Sequence, residues 1–185
     1  MSKAVGLIES ISIGHGYEIA DAMVKKADVL LLACRPVCSG KHLSMVAGDV
    51  GAVNTAIKAG LEVGGTSVID HFVLPNIHES VIPALTGATS FEQDGRSVCL
   101  GVLETFSVAS LIVAADAAAK AADVTLIEVR AAIGIGGKSY ATMVGDVSAV
   151  RSAVDAGART AEENGMLVSK IVIPLLSEDV LRHLV

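Results

Sequence analysis

The chain repeats itself, and that repeat limits its possible folds more than any other feature. Ala4-Val5-Gly6-Leu7-Ile8-Glu9 returns as Cys99-Leu100-Gly101-Val102-Leu103-Glu104, 95 positions later. At the same spacing Asp21 meets Asp116, Lys25 meets Lys120, and Asp28-Val29 meets Asp123-Val124. The spacing widens to 97 at Gly40-Lys41 and Gly137-Lys138, and holds through Gly48-Asp49-Val50 and Gly145-Asp146-Val147. It widens again to 99 where Pro75 meets Pro174. Both insertions fall where turns are expected, so one supersecondary unit is written twice. The predicted domains are 1–90 and 97–185, with Thr86 to Arg96 as the linker.

Hydrophobic spacing gives the unit its order. Val5 to Glu9, Val29 to Arg35, Leu43 to Ala47 and Ser67 to Leu74 read as strands, with Val29 to Arg35 buried. Tyr17, Ala20, Val24 and Ala27 recur at helical spacing, as do Ile112, Ala115, Ala119 and Ala122. Asp49 reads as a helix N-cap ahead of Val50, Val53, Ile57 and Leu61; Asp146 precedes Val147, Val150, Val154 and Ala158 in the same way. A short helix is expected from about His78 to Leu85. The order β-α-β-β-α-β is the split βαβ, ferredoxin-like arrangement, so the fold class is α+β with one sheet per copy and two helices on one face.

Composition narrows the function. Hydrophobic residues make up 52% of the 185 positions, mean hydropathy is +0.62, and there is no Trp. No run reaches the roughly 18 apolar residues that a membrane span needs. The surplus apolar surface therefore points to burial between subunits. A net charge of −6 without a basic run argues against a nucleic-acid partner. MSKAVGLIES lacks signal-peptide architecture, so the expected location is cytoplasmic. Three cysteines (Cys34, Cys38, Cys99) without a CxxC spacing suit reduced thiols better than a disulfide framework.

Arg35-Pro36-Val37-Cys38-Ser39-Gly40-Lys41 ends the apolar run with a proline and puts one thiol at the tip of a short loop. One thiol holds no metal cluster, but copies meeting on a symmetry axis supply several. Cys38 as an inert loop thiol remains the alternative. Cys34 and Cys99 read as small buried hydrophobes. Gly134-Ile135-Gly136-Gly137-Lys138-Ser139 resembles a phosphate loop only superficially, because Ala132 stands where that pattern needs glycine and a strand, Tyr140 to Val144, follows. It reads instead as a flexible backbone collar. The five histidines lack zinc-ligand spacing, and His42 is expected on the solvated surface, with an approach to the symmetry axis as the alternative. No nucleophile–base pair stands out. Glu9 and Glu104 look architectural.

Ala4 to Glu9, Ala20-Asp21-Ala22-Met23-Val24-Lys25 and Gly48-Asp49-Val50-Gly51-Ala52-Val53 resemble bacterial microcompartment shell domains. Ala115-Asp116-Ala117, Lys120 and Gly145-Asp146-Val147 carry the resemblance into the second copy. Two fused, unpermuted copies resemble the tandem-domain shell proteins, within them the propanediol-utilisation trimeric subtype, through Cys38 to Lys41 and Ala132 to Lys138. The resemblance implies a homotrimer that imitates a hexamer and has no enzymatic activity. It implies tile-edge contacts at Lys25 and Lys120, and a pore formed by Val37, Cys38, Ser39 and Gly40. It further implies one [4Fe-4S] cluster per trimer on three Cys38 thiolates, with Ser39 and Gly40 offering backbone N–H groups, for electron transfer across the shell. Implied partners are further copies of the chain, other shell proteins, and a lumenal or cytosolic redox enzyme. A cofactor-free pore passing small metabolites is the rival. The arginine that single-domain members often carry after the last strand's proline is absent, since Pro75-Asn76-Ile77-His78 and Pro174-Leu175-Leu176-Ser177 stand there, so lateral packing is expected to use other partners.

Overall fold

A computed structural model describes residues 3–91, 98–131, 134 and 136–184. They divide into two compact units. The first runs to Ile77 and takes in the described glycines of 132–137; the second takes His78 onward apart from that segment. The repeat places 78–90 with the first copy, whereas packing groups the helix there with the second unit.

Unit one contains β1 (Lys3–Ser10), α1 (Ile13–Lys26), β2 (Leu30–Val37), β3 (Lys41–Asp49), α2 (Val50–Gly64) and β4 (Val68–Pro75). Its antiparallel sheet has the order β2-β3-β1-β4, as the split βαβ pattern requires. Unit two contains α3 (Val81–Thr86), β5 (Cys99–Thr105), α4 (Val108–Ala121), β6 (Thr125–Arg130), β7 (Ser139–Gly145), α5 (Val147–Glu163), β8 (Leu167–Ile173) and α6 (Glu178–Leu181). Its sheet repeats the order as β6-β7-β5-β8. Even the irregularities repeat. Register shifts at Glu9/Ser10 and Leu31/Ala33 recur at Glu104/Thr105 and Leu126/Glu128.

Helix entry is also duplicated. Ser12 Oγ accepts the His15 amide at 3.3 Å, and Ser107 Oγ accepts the Ser110 amide at 3.1 Å. Each thereby satisfies an otherwise unpaired first-turn donor. Asp49 and Asp146 hold the expected N-cap positions in extended conformation, but neither side chain makes the capping hydrogen bond.

The core of unit one lies between sheet and helices, where Ile8, Ile19, Met23, Val46, Val53 and Ile57 pack together. Fully burying a side chain of this size contributes about 1.5–3 kcal/mol. The buried face of α1 differs from the expected stripe. Gly16, Ile19, Ala20 and Met23 face inward, while Tyr17 and Val24 are exposed. Apolar residues fall on more than one side of α1, and the larger Ile19 and Met23 win the contact with the sheet. The second copy follows expectation: Ile112, Ala115 and Ala119 are buried.

The expected burial of β2 also differs. Leu30 is 67% exposed, and Leu31 and Leu32 are exposed too. The strand lies at the sheet edge and continues through Pro36, which an edge position tolerates because the missing N–H would point outward. In unit two the corresponding strand, β6, packs against α3 and buries Leu126, Ile127 and Val129. On that unit's sheet, Leu100, Ile127 and Val144 also gather with Leu176 and Leu181.

Candidate pore-loop site

Cys38, Ser39 and Gly40 form a single tight turn between β2 and β3. The antiparallel register closes at Val37↔Lys41, so the turn must reverse the chain within three residues. Ser39 (φ 65°) and Gly40 (φ 70°) accomplish this in the left-handed region. That conformation is easy for glycine and costs about 1–2 kcal/mol for serine. Ser39 and Gly40 are exposed, Cys38 is half-buried, and Val37 is buried beneath them.

A backbone amide addresses the sulfur. The Gly134 N–H donates to Cys38 Sγ at 2.8 Å. Gly134, Gly136 and Gly137 all have positive φ (76°, 66° and 86°), so this segment needs its glycines. At Gly137 a Cβ would stand 2.7 Å from Ser39 Oγ, which lets the two loops approach only with glycine there. The expected collar is thus a donor as well as a spacer. Ala132, Ile133 and Ile135 of that stretch lie outside the described residues.

Lys41 turns away from the turn tip. Its Nζ lies 2.8 Å from Glu9 Oε1, and the Glu9 side chain is fully buried. The repeated pair Lys138–Glu104 is looser, at 4.0 Å, and more exposed. Lys25 and Lys120 each pair with the aspartate one helical turn earlier, Asp21 and Asp116, at 2.6 Å. Lys25 and Asp21 are exposed on the surface of α1. Asp116 is buried and also accepts the His78 amide at 2.7 Å, which ties α4 to the turn before α3.

The sequence reading missed a second cluster behind the turn. His42, expected at the surface, is fully buried between β3 and α1. Its Nε2 lies 3.8 Å from Cys34 Sγ and its Nδ1 lies 3.3 Å from Ser44 Oγ. Burial lowers the His42 pKa from its ordinary 6.5 and raises that of the Cys34 thiol from 9.0. Tyr17 tilts against the imidazole with ring centroids 4.8 Å apart. A usable signal lay in the repeat, because Gly16 and His42 align with Leu111 and Ser139. Among the described residues, no group of three or more His, Cys, Asp or Glu side chains is placed to hold a metal ion within one chain. No helix of the structure is long and apolar enough to cross a membrane.

Comparison with known proteins agrees with this architecture. The BMC domain family model matches residues 4–77 and again 99–176. The bacterial microcompartment shell protein PduT of Citrobacter freundii is 47% identical over 185 residues, covering 100% of this chain and 99% of the relative. The carboxysome shell protein CcmK2 of Synechococcus elongatus is 38% identical over 85 residues, 44% of this chain and 83% of the relative. A microcompartment protein from Desulfitobacterium hafniense superposes with a TM-score of 0.87 at 48% identity, covering 98% of this chain and 99% of that one. The fused permuted shell protein MSM0275 superposes at 0.63 with 24% identity, covering 87% and 82%, and shares the fold. Two matched domains spanning both units, with a full-length relative close to half identical, place this chain in the BMC domain family as a tandem-domain bacterial microcompartment shell protein.

Proposed function

We propose that the chain is a structural tile, three copies of which surround a central opening lined by the Cys38 turn, where a [4Fe-4S] cluster carries electrons across the shell. The observation behind the cluster is the Gly134 N–H on Cys38 Sγ. Hydrogen bonds to cluster sulfur tune its reduction potential, and a charge-assisted donor favours thiolate over thiol. One chain presents a single thiol at the turn, so the cluster requires Cys38 from three copies, related by the rotation a closed trimer supplies. Held by the Cys38 thiolates of three copies, such a cluster would supply one-electron chemistry. Ser39 and Gly40 contribute backbone amides at the exposed tip. The work is structural and conductive, with other shell proteins at the tile edges and a redox enzyme on one face.

The exposed Ser39 and the bare backbone of Gly40 support a second reading, a cofactor-free opening for small polar metabolites. Anaerobic reconstitution separates the two. The cluster reading predicts a brown protein with about four irons per three chains, and a Cys38→Ser variant that still assembles but is colourless. Assembled wild type without iron favours the bare opening. Iron retained after Cys38→Ser contradicts the cluster site.

A further inference from the structure

The Cys34–His42–Ser44 cluster has the arrangement of an assisted nucleophile, and its hydrogen bonds fix which atom carries which proton. Ser44 Oγ lies 3.0 Å from the Gly16 carbonyl, a contact that requires the hydroxyl proton. With that proton committed, Ser44 Oγ is left to accept from His42 Nδ1 at 3.3 Å. The imidazole is therefore protonated on Nδ1, and its Nε2 lone pair faces Cys34 Sγ at 3.8 Å. Thiol, base and orienting group stand in sequence, the pattern that activates nucleophiles on unrelated folds.

The second unit shows that the fold does not require this cluster. By strand register and repeat, Cys34, His42, Ser44, Gly16 and Tyr17 correspond to Val129, Ser139, Ala141, Leu111 and Ile112. The exchange is complementary in volume. A Cβ on Gly16 would lie 2.2 Å from the His42 ring, so the glycine exists to admit the imidazole. Where Ser139 replaces the imidazole, Leu111 fills the space and is fully buried. One copy closes the space with Leu111 beside a buried Ser139 hydroxyl, and the other keeps a base, a thiol and an orienting hydroxyl.

We infer that Cys34 is a covalent modification site for small, uncharged, soft carbon electrophiles, with His42 as the base that takes its proton. The site favours small uncharged reagents because His42 is fully buried, Cys34 is half-buried, and the neighbouring charges of Lys41 and Glu9 already neutralise each other. With iodoacetamide as probe, the Cys34 sulfur attacks the methylene carbon. The S–C bond forms, the C–I bond breaks, and iodide leaves. Burial holds thiol and imidazole neutral at rest, so the thiol proton passes to His42 Nε2 only as the S–C bond forms, and the imidazolium then returns it to water. Cys38 takes no part, so the inference stands or falls apart from the cluster.

The test uses the intact protein carrying Cys38→Ser, so that the peptide spanning β2 and the turn holds one thiol. It is alkylated with limiting iodoacetamide at neutral pH alongside glutathione as an internal standard, and the rate at Cys34 is read by mass spectrometry. The comparison protein adds Gly16→Leu and His42→Ser, which copy the second unit's own packing. General-base assistance contributes about 10²–10⁴-fold where proton transfer limits the reaction. The expected result is a Cys34 rate at least ~10-fold below the parent in the Gly16→Leu/His42→Ser protein. His42→Gln, which keeps a polar side chain without a usable base, should give the same loss should the double variant not fold. Equal rates in parent and variants, or a Cys34 that stays unlabelled in the folded parent, overturn the assignment.

Discussion

At the scale of single residues, the Gly16–His42 pair shows how much a repeat discloses when it fails. Gly16→Leu alone drives a side chain into the imidazole, and overpacking of this kind costs about 1–3 kcal/mol. Adding His42→Ser should recover most of that loss, since Leu111 and Ser139 already coexist in the second unit. Denaturant unfolding of the two singles and the double gives the coupling directly; additive losses would contradict the volume exchange. A pH effect follows from the same residue. Burial lowers the His42 pKa in the folded state below its ordinary 6.5, so between these values the unfolded chain binds the extra proton. The contribution of this residue to stability is full above about pH 6.5 and is lost as pH falls through the folded value. Thermal melts across that window should decline in wild type and decline less in the Gly16→Leu/His42→Ser variant. Sequence reasoning placed His42 at the surface because a histidine beside a turn usually is solvated. Its burial depends on a missing side chain 26 positions away in the chain, which local patterning does not register.

At the scale of elements, periodicity located the four strands of the first copy and Tyr140 to Val144 in the second, since alternation and turn residues are local properties, and the repeat implied the others. The face of α1 was legible only at Ala20, because Tyr17, Ala20, Val24 and Ala27 form a stripe as regular as that of Gly16, Ile19, Ala20 and Met23, and only the sheet's shape selects between them. The glycine segment was legible as a backbone device but not as a hydrogen-bond donor, because its partner, Cys38, lies 96 positions earlier. Gly137→Ala tests that device. It places a Cβ at φ 86° and 2.7 Å from Ser39 Oγ, so a loss of about 1–2 kcal/mol is expected from backbone strain. Iron retention should fall with it if the segment holds the Cys38 turn in place. Unchanged stability and iron content would show that the approach of the two loops is dispensable.

At the scale of the whole molecule, the apolar surplus legible in composition reappears on β2. Leu30 and Leu31 are exposed on an edge strand of unit one, while β6 is covered by α3 in unit two. A long apolar sheet edge is a site for association unless covered. Replacing both leucines with lysine should change the stability of the isolated chain by no more than about 0.5 kcal/mol, the usual range for surface positions. The same change should shift the sedimentation coefficient toward that of a single chain. Unaltered assembly would place the interface elsewhere. The internal repeat made the tandem architecture readable because both copies preserve the same strand and helix signals. What each copy does differently came only from comparing them position by position within the fold.

The central claim is that three copies bring one sulfur each to a shared cluster, and native mass spectrometry of anaerobically reconstituted protein tests it most directly. The predicted particle contains three 18.8 kDa chains and one [4Fe-4S] cluster, and Cys38→Ser should leave the three chains together without the iron and sulfide. A single-chain particle, or a cluster that persists in Cys38→Ser, would contradict the account.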